Sequence, residues 1–423
     1  MELIKEIEYD CAVVGGGASG VAAAIGAAQT GVKTLLIERS PYFGGQATHA
    51  NVPSYCGFFT QSDPPEQAVA GVGQMVLDNL ASLGFYQGPR KTARTGTHIV
   101  TLDAEAVKFA MDKCITASRA DYLLHTAVIS AEVVDGLVKS ITCITDGGRL
   151  RIGAKSFVDA SGEGNLVAMC GGGFKIGDGN GHMQVGTMMF RIGGVPLDVD
   201  INPFTIQEAI LKGKDAGITP LGKDLGIIVR IPGKSGDVLG ILADEEVDPL
   251  DVENLTKCEI SGRKQAWAYL ETFRRFLPGF ENAYLVHSGP QFGVRDSRHI
   301  IGEYVLTGEE AISGRRFHDA IARGAWYCES HPEKGKPNIS IPIKDLSYFH
   351  IPIGCLKVKN KQNLWAAGRI ISCDSIAFAS VRVMGTGFAT GQAAGVAAAL
   401  QAHKGVVDIE AVQKELIQQG AII

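Results

Sequence analysis

The chain has 423 residues, of which 20% are charged, and a formal net charge of −5. This length allows two domains and a sizeable core. The mild acidity leaves no basic stripe for a nucleic acid, and no run of about 18 apolar residues stands ready to cross a membrane.

The first element is an apolar strand, Cys11-Ala12-Val13-Val14, which runs into Gly15-Gly16-Gly17-Ala18-Ser19-Gly20, a helix of small residues, and a second strand closed by Glu38. Gly15 permits a tight strand-to-helix turn, Gly17 lets backbone approach a pyrophosphate, and Gly20 lets the helix lie close on the sheet. The helix would then offer phosphates its unpaired N–H groups and the positive end of its dipole. Glu38 follows Gly20 by 18 residues, close to the offset at which an acid meets a ribose hydroxyl. Next comes a loop, Gly44-Gly45-Gln46-Ala47-Thr48, whose glycines leave backbone free to line a ligand. Apolar spacing predicts helices over residues 64–83 and 103–118, the second starting at Asp103. Residues 122–124 and 128–134 read as strands. The latter turns at Asp135-Gly136 into residues 137–144, and residues 150–158 complete a meander before Asp159-Ala160-Ser161-Gly162-Glu163-Gly164.

The middle, residues 181–349, changes character. Strand-like stretches (184–192, 226–231, 238–243) mix with a long helical pattern over residues 252–276. The last part returns to the first theme: Asn363-Leu364-Trp365-Ala366-Ala367-Gly368-Arg369 is a second buried strand ending at glycine, and residues 385–402 form a helix of Gly, Ala, Thr and Val. Glycine inside a helix costs about 1 kcal/mol relative to alanine, so a side-chain-free surface must be needed there. Close backbone packing accounts for Gly391 and Gly395, and approach of an anionic ligand group for Gly385 and Gly387. Two distant segments closing on one ligand suit a long dinucleotide with an adenine end and an isoalloxazine end, which points to FAD rather than NAD.

The chain resembles the FAD-dependent oxidoreductases with a glutathione-reductase-type FAD domain, and more distantly the fumarate reductase and succinate dehydrogenase flavoproteins. The resemblance spans nearly the whole chain. It implies an α/β fold: a Rossmann-like FAD-binding domain formed by residues 1–180 and 350–423, with an inserted α+β substrate domain at 181–349. It further implies that Gly15, Gly17, Ala18, Ser19 and Gly20 hold the pyrophosphate, that Glu38, with Arg39 beside it, binds the ribose, and that Val128 lies by the adenine. Gly44, Gly45, Gln46 and Ala47 would run along the flavin, Ser161, Gly162 and Gly368 would border the cofactor, and Gly385 and Gly387 would face the pyrimidine edge. Two departures stand out. The common Gly-Asp near the C-terminus is Gly368-Arg369, and no Cys-x4-Cys accompanies the first helix, which sets the disulfide reductases aside. His49 follows the flavin-side loop, yet noncovalent FAD is expected.

Nine cysteines without a C-x-x-C pair remove the usual support for iron–sulfur, zinc or a dithiol, so no metal is expected and the thiols, Cys56 and Cys373 included, read as small buried hydrophobes. Met1-Glu2-Leu3-Ile4-Lys5-Glu6 has no apolar signal core, which favours the cytoplasm. For the substrate, His350 is the candidate base or binding group, Arg295 a carboxylate clamp, and Arg382 a source of positive charge beside the flavin. The pocket is expected between Gln46 and residues 348–352. The expected activity is that of a dehydrogenase or oxidase passing hydride from a small polar organic molecule to flavin N5, with an unidentified electron acceptor and room for a homo-oligomer. The alternatives are a reductase of an activated double bond, a monooxygenase, or an electron-transfer subunit.

Overall fold

In the computed structural model, which describes residues 3–92, 95–233, 235–336 and 338–423, the chain opens with β1 (Leu3–Val14), α1 (Ala18–Gln29) and β2 (Thr34–Ile37). β2 lies parallel to β1, with Cys11 beside Thr34 and Val14 beside Ile37. After the short helix α2 (Gln46–His49) the chain makes an excursion that ends in α3 (Ala104–Thr116), whose first N–H groups are capped by the Asp103 carboxylate. β3 (Asp121–Leu123) follows, then a meander of β4 (Ala127–Val134), β5 (Leu137–Thr145) and β6 (Gly148–Asp159). The sheet order is β3-β2-β1-β6-β5-β4. Covered on both faces, the inner ends of β1 and β2 are unbroken apolar runs, as a parallel sheet requires.

One expectation needs correction here. The helix expected over residues 64–83 runs only from Val72 to Ser82, because Gly71 turns with φ +59° and the Val72 N–H is taken by the distant Gln392 side chain at 3.0 Å.

The middle builds a second layer: β7 (Gly186–Gly193), α4 (Pro203–Asp215), β8 (Ile227–Arg230), β9 (Val238–Glu245), α5 (Val252–Phe276) and β10 (Tyr284–Ser288). The antiparallel sheet runs β8-β9-β7-β10. Alternation along β7 sends Met188, Phe190 and Ile192 into a core under α4 and α5, where Phe190 stacks on Tyr269 at 5.9 Å, while Met189 joins a separate apolar group on the other face. This core draws on residues from Met188 to Val294, whereas Leu306, Ile321, Ile343 and Phe349 pack into the core of the first sheet.

The return adds β11 (Leu364–Ala366) beside β6, in parallel, and lays α6 (Met384–Lys404) across α1. The contact between these helices is backbone to backbone: a Cβ on Gly391 would sit 2.1 Å from the Ser19 carbonyl oxygen, and one on Gly395 2.0 Å from that of Ala23. Among the described residues, no helix is long and apolar enough to cross a membrane.

Candidate active site

The carboxyl ends of β1, β2, β6 and β11 surround a cleft of about 750 Å³, where ligands of open α/β sheets bind. The glycine turn forms its floor. Gly15 has φ +103° and a Cβ there would meet the Ala160 carbonyl at 2.4 Å, while a Cβ on Gly20 would strike the Gly15 carbonyl at 1.6 Å. These two glycines are demanded by the protein's own packing. Gly17 is different, since a Cβ there would meet nothing closer than 3.5 Å. Its bare surface faces the cleft at the start of α1, where no side chain caps the helix, so its N-terminal amides can meet an anion.

Glu38 is buried at the end of β2. One carboxylate oxygen accepts the Gly16 N–H at 2.5 Å and the other that of Ser40 at 2.7 Å, each keeping a lone pair for a further donor. Ala18, Ser19, Arg39, Gly45, Gln46, Ser161, Gly162, Gly368 and Gly387 line the same cleft.

Some expected residues do not reach it. Gly20 and Ala47 are packing residues beneath the cleft wall, and Gly44 ties its loop to the glycine turn by donating its N–H to the Gly16 carbonyl at 2.9 Å. Val128 pairs with Cys143 in the meander and packs on the sheet. The Gly385 N–H donates to the Cys56 carbonyl at 3.0 Å, which a Cβ would approach to 2.4 Å. Packing against the protein's own backbone thus already requires glycine at 385.

The sequence reading overlooked Glu163. Its carboxylate meets Arg369 at 2.6 Å, both side chains largely buried, and the pair ties the Ser161–Gly164 loop to the C-terminal return. A carboxylate thus stands in the cleft beside Arg369, from the distant segment Asp159-Ala160-Ser161-Gly162-Glu163, a pairing invisible without the fold. Asp159 works below it, accepting the Ser161 and Val167 N–H groups at 3.0 and 2.8 Å.

A second cavity, of about 400 Å³, opens from the cleft toward the middle sheet. The two share Gln46, Val294, Arg369, Arg382, Val383 and Met384. Its walls are mostly apolar, with Met189, Ile206, Ile227, Val229 and Ile241 prominent, and its polar end carries Arg295, Arg382, Glu329 and His331. Arg295 donates to the Val185 carbonyl and to Thr187 Oγ1, and Arg382 donates to the Glu329 carbonyl at 2.8 Å. Burial, and then the neighbouring Arg295, pull Arg382 down to about 10; burial also lowers Arg295, opposed by Asp244 and Glu329. Both remain cations at neutral pH. His331 is held well below the ordinary histidine value by burial and then by the two arginines, and its Nδ1 has no partner. Cys56 also lines this cavity with its thiol pushed up to about 12 by burial, an inert state.

His350 lies in neither cavity. Its Nδ1 accepts the Phe317 N–H at 3.1 Å and its ring stacks on Tyr348 at 5.9 Å, so the pocket wall opposite Gln46 is built by the middle sheet and not by residues 348–352. Arg298 holds the glycine-rich loop by donating to the Glu163 carbonyl and Asn165. Among the described residues, no group of three His, Cys, Asp or Glu side chains is placed to hold a metal ion.

A parallel sheet whose first glycine turn and distant C-terminal helix close on one long cleft defines a dinucleotide-binding α/β protein of the two-segment kind. The residues fit such a cofactor: Gly17 is bare for no internal reason, α1 is uncapped, and Glu163, Arg369 and His49 each keep a buried polar atom without a partner in the cleft. The family of FAD dependent oxidoreductases matches residues 10–416, and the chain belongs to it; it is an enzyme with FAD as cofactor. It is also similar to the thiamine thiazole synthases of Methanococcus aeolicus (28% identity over 169 residues, 39% of this chain and 59% of that protein) and Aeropyrum pernix (28% over 175 residues, 39% and 58%). The chain therefore spans about three fifths of the length of these curated relatives. Among solved structures, the flavin-dependent brominase Bmp2 shares the fold with a TM-score of 0.51 at 14% identity, over 98% of this chain and 84% of that one.

Proposed function

We propose that this FAD enzyme is a dehydrogenase or oxidase that takes a hydride from a small organic molecule held in the cavity beside the middle sheet. The observation that carries the reading is the sharing of Gln46, Val294, Arg369, Arg382, Val383 and Met384 by the cofactor cleft and that cavity. FAD, when bound, supplies the two-electron acceptor. The chain's own residues do the rest. Gly17 and the α1 amides receive the pyrophosphate and Glu38 a ribose hydroxyl. The apolar walls exclude water and hold the substrate body, and the arginines fix its polar end, a division of labour usual in small-molecule sites. His331, whose Nδ1 has no partner, is placed to hydrogen-bond the substrate's polar end, a part first expected of His350.

The test is anaerobic mixing of the FAD-loaded protein with a panel of small organic reductants, following loss of flavin absorbance. Met189→Trp, which pushes a larger ring into the cavity, should keep FAD and slow the bleaching on the order of 100-fold. Equal rates in the two proteins would place the substrate elsewhere. Fast reoxidation in air then marks an oxidase, slow reoxidation a dehydrogenase.

A further inference from the structure

The polar end of the second cavity has an unusual charge inventory. The charged residues lining it, among those described, are Arg90, Arg230, Arg295, Arg369, Arg382 and the single acid Glu329. Arg369 is neutralised by Glu163 at 2.6 Å. Arg230 is turned away, its guanidinium donating to the carbonyls of Val195, Pro196, Val199 and Gly236, and Arg90 is exposed on its hairpin. That leaves Arg295 and Arg382 half-buried at the polar end of the cavity, close enough for Arg295 to lower Arg382, with Glu329 beside them. The Glu329 carboxylate is already engaged: Trp326 Nε1 donates to one oxygen at 3.2 Å and Asn338 to the other at 3.3 Å.

Neither arginine is saturated. Arg295 uses one terminal nitrogen, on the Val185 carbonyl and Thr187, and Arg382 the other kind of contact, a single bond to the Glu329 carbonyl that leaves its buried Nε without a partner. Two like charges held together under burial are unfavourable unless an anion joins them. Asp244, whose charge also reaches Arg295, is paired with Lys223 at 2.6 Å. Asp296, whose charge reaches Arg382, stands outside the lining with its carboxylate on His299 and the Gln184 and Ser297 N–H groups. Within the lining, Arg295, Arg382 and Glu329 leave one positive charge and His331 adds none, which suits a monoanion.

We infer that the substrate carries a carboxylate, held by Arg295 and Arg382, on an apolar body that lies along Met189, Ile227, Val229 and Ile241. This inference rests on the proposed use of the cavity as substrate site. A guanidinium pair suits a planar carboxylate, which accepts paired N–H bonds, and one uncompensated charge suits a monoanion better than a phosphate dianion.

The probes are hexanoate, its neutral isostere hexanamide, and hexyl phosphate, each titrated into the FAD-loaded protein by calorimetry and by the shift of the flavin absorption band. Hexanoate should bind at least roughly 10-fold more tightly than either of the others, and Arg295→Met should abolish most of that preference. Equal binding of hexanoate and hexanamide overturns the carboxylate, and tighter binding of hexyl phosphate overturns the monoanion. The wild-type series decides both points even where Arg295→Met fails to fold. Failure of the underlying reading looks different: all three probes bind in Met189→Trp as they do in the wild type, or none shifts the flavin band.

Discussion

At the scale of single residues, Gly17 separates the needs of the ligand from those of the fold. Gly15 and Gly20 are fixed by contacts of 2.4 and 1.6 Å to backbone, whereas a Cβ on Gly17 would stand 3.5 Å from Gly45 in ordinary contact. Gly17→Val should therefore fold, with stability lowered by no more than about 1 kcal/mol, and yet come off the column colourless, because the branched side chain enters the space for the pyrophosphate. Urea unfolding and the flavin absorbance check the two halves separately. A protein that is yellow, or one that does not fold, contradicts this division.

His331 gives the pH prediction at the same scale. Burial, then Arg295 and Arg382, hold the folded ring well below the ordinary histidine value. Below about pH 6.5 the unfolded chain takes up a proton that the folded chain refuses, so stability is full above that value and is lost as the pH falls through and beneath it. His331→Asn should thus show a smaller drop in urea midpoint between pH 7.5 and 5.5 than the wild type, and an identical drop would mean that the ring protonates freely in the folded state. Residue roles were only partly legible in the sequence. The placing of the glycine turn and Glu38 at one cleft was, because strand, turn, helix and acid form one local unit. His350 was misjudged, since a histidine near a chain return looks the same whether it faces a pocket or, as here, the Phe317 backbone. Glu163 was missed because its partner Arg369 arrives from the far end of the chain.

At the scale of elements, α6 shows how an unfavourable local sequence is rewarded by a neighbour. Its glycines cost helix stability, and they let α6 touch α1 backbone to backbone. Gly391→Ala should improve the helix in isolation by about 1 kcal/mol. In the protein the added methyl would lie 2.1 Å from the Ser19 carbonyl, so the helices must separate, and a net loss of about 1–3 kcal/mol is expected in urea unfolding. Unchanged or raised stability would show that the crossing has slack. The meander and α5 were legible because period-two and helical apolar patterns are local. The late start of the helix at Val72 was not, because the group that accepts its first N–H is the Gln392 side chain on α6.

At the scale of the whole molecule, two cores divide the work. One builds the parallel sheet and its cleft, the other a sheet whose outer face closes a second cavity against the first. In the sequence the character of the chain changes over residues 181–349, while the second core draws on residues from Met188 to Val294. The sequence could not show which strand face would turn inward, so the pocket wall expected from residues 348–352 is formed instead by β7, β8 and β9. The meeting of the two cavities is the central claim, and a crystal structure of the FAD-loaded protein tests it most directly. The expected map places the isoalloxazine ring against Gln46, Val294, Arg382 and Met384, with one face open to the apolar cavity. A ring lying at the other end of the cleft, beside Arg39 and Pro41, or sealed from that cavity, would contradict it.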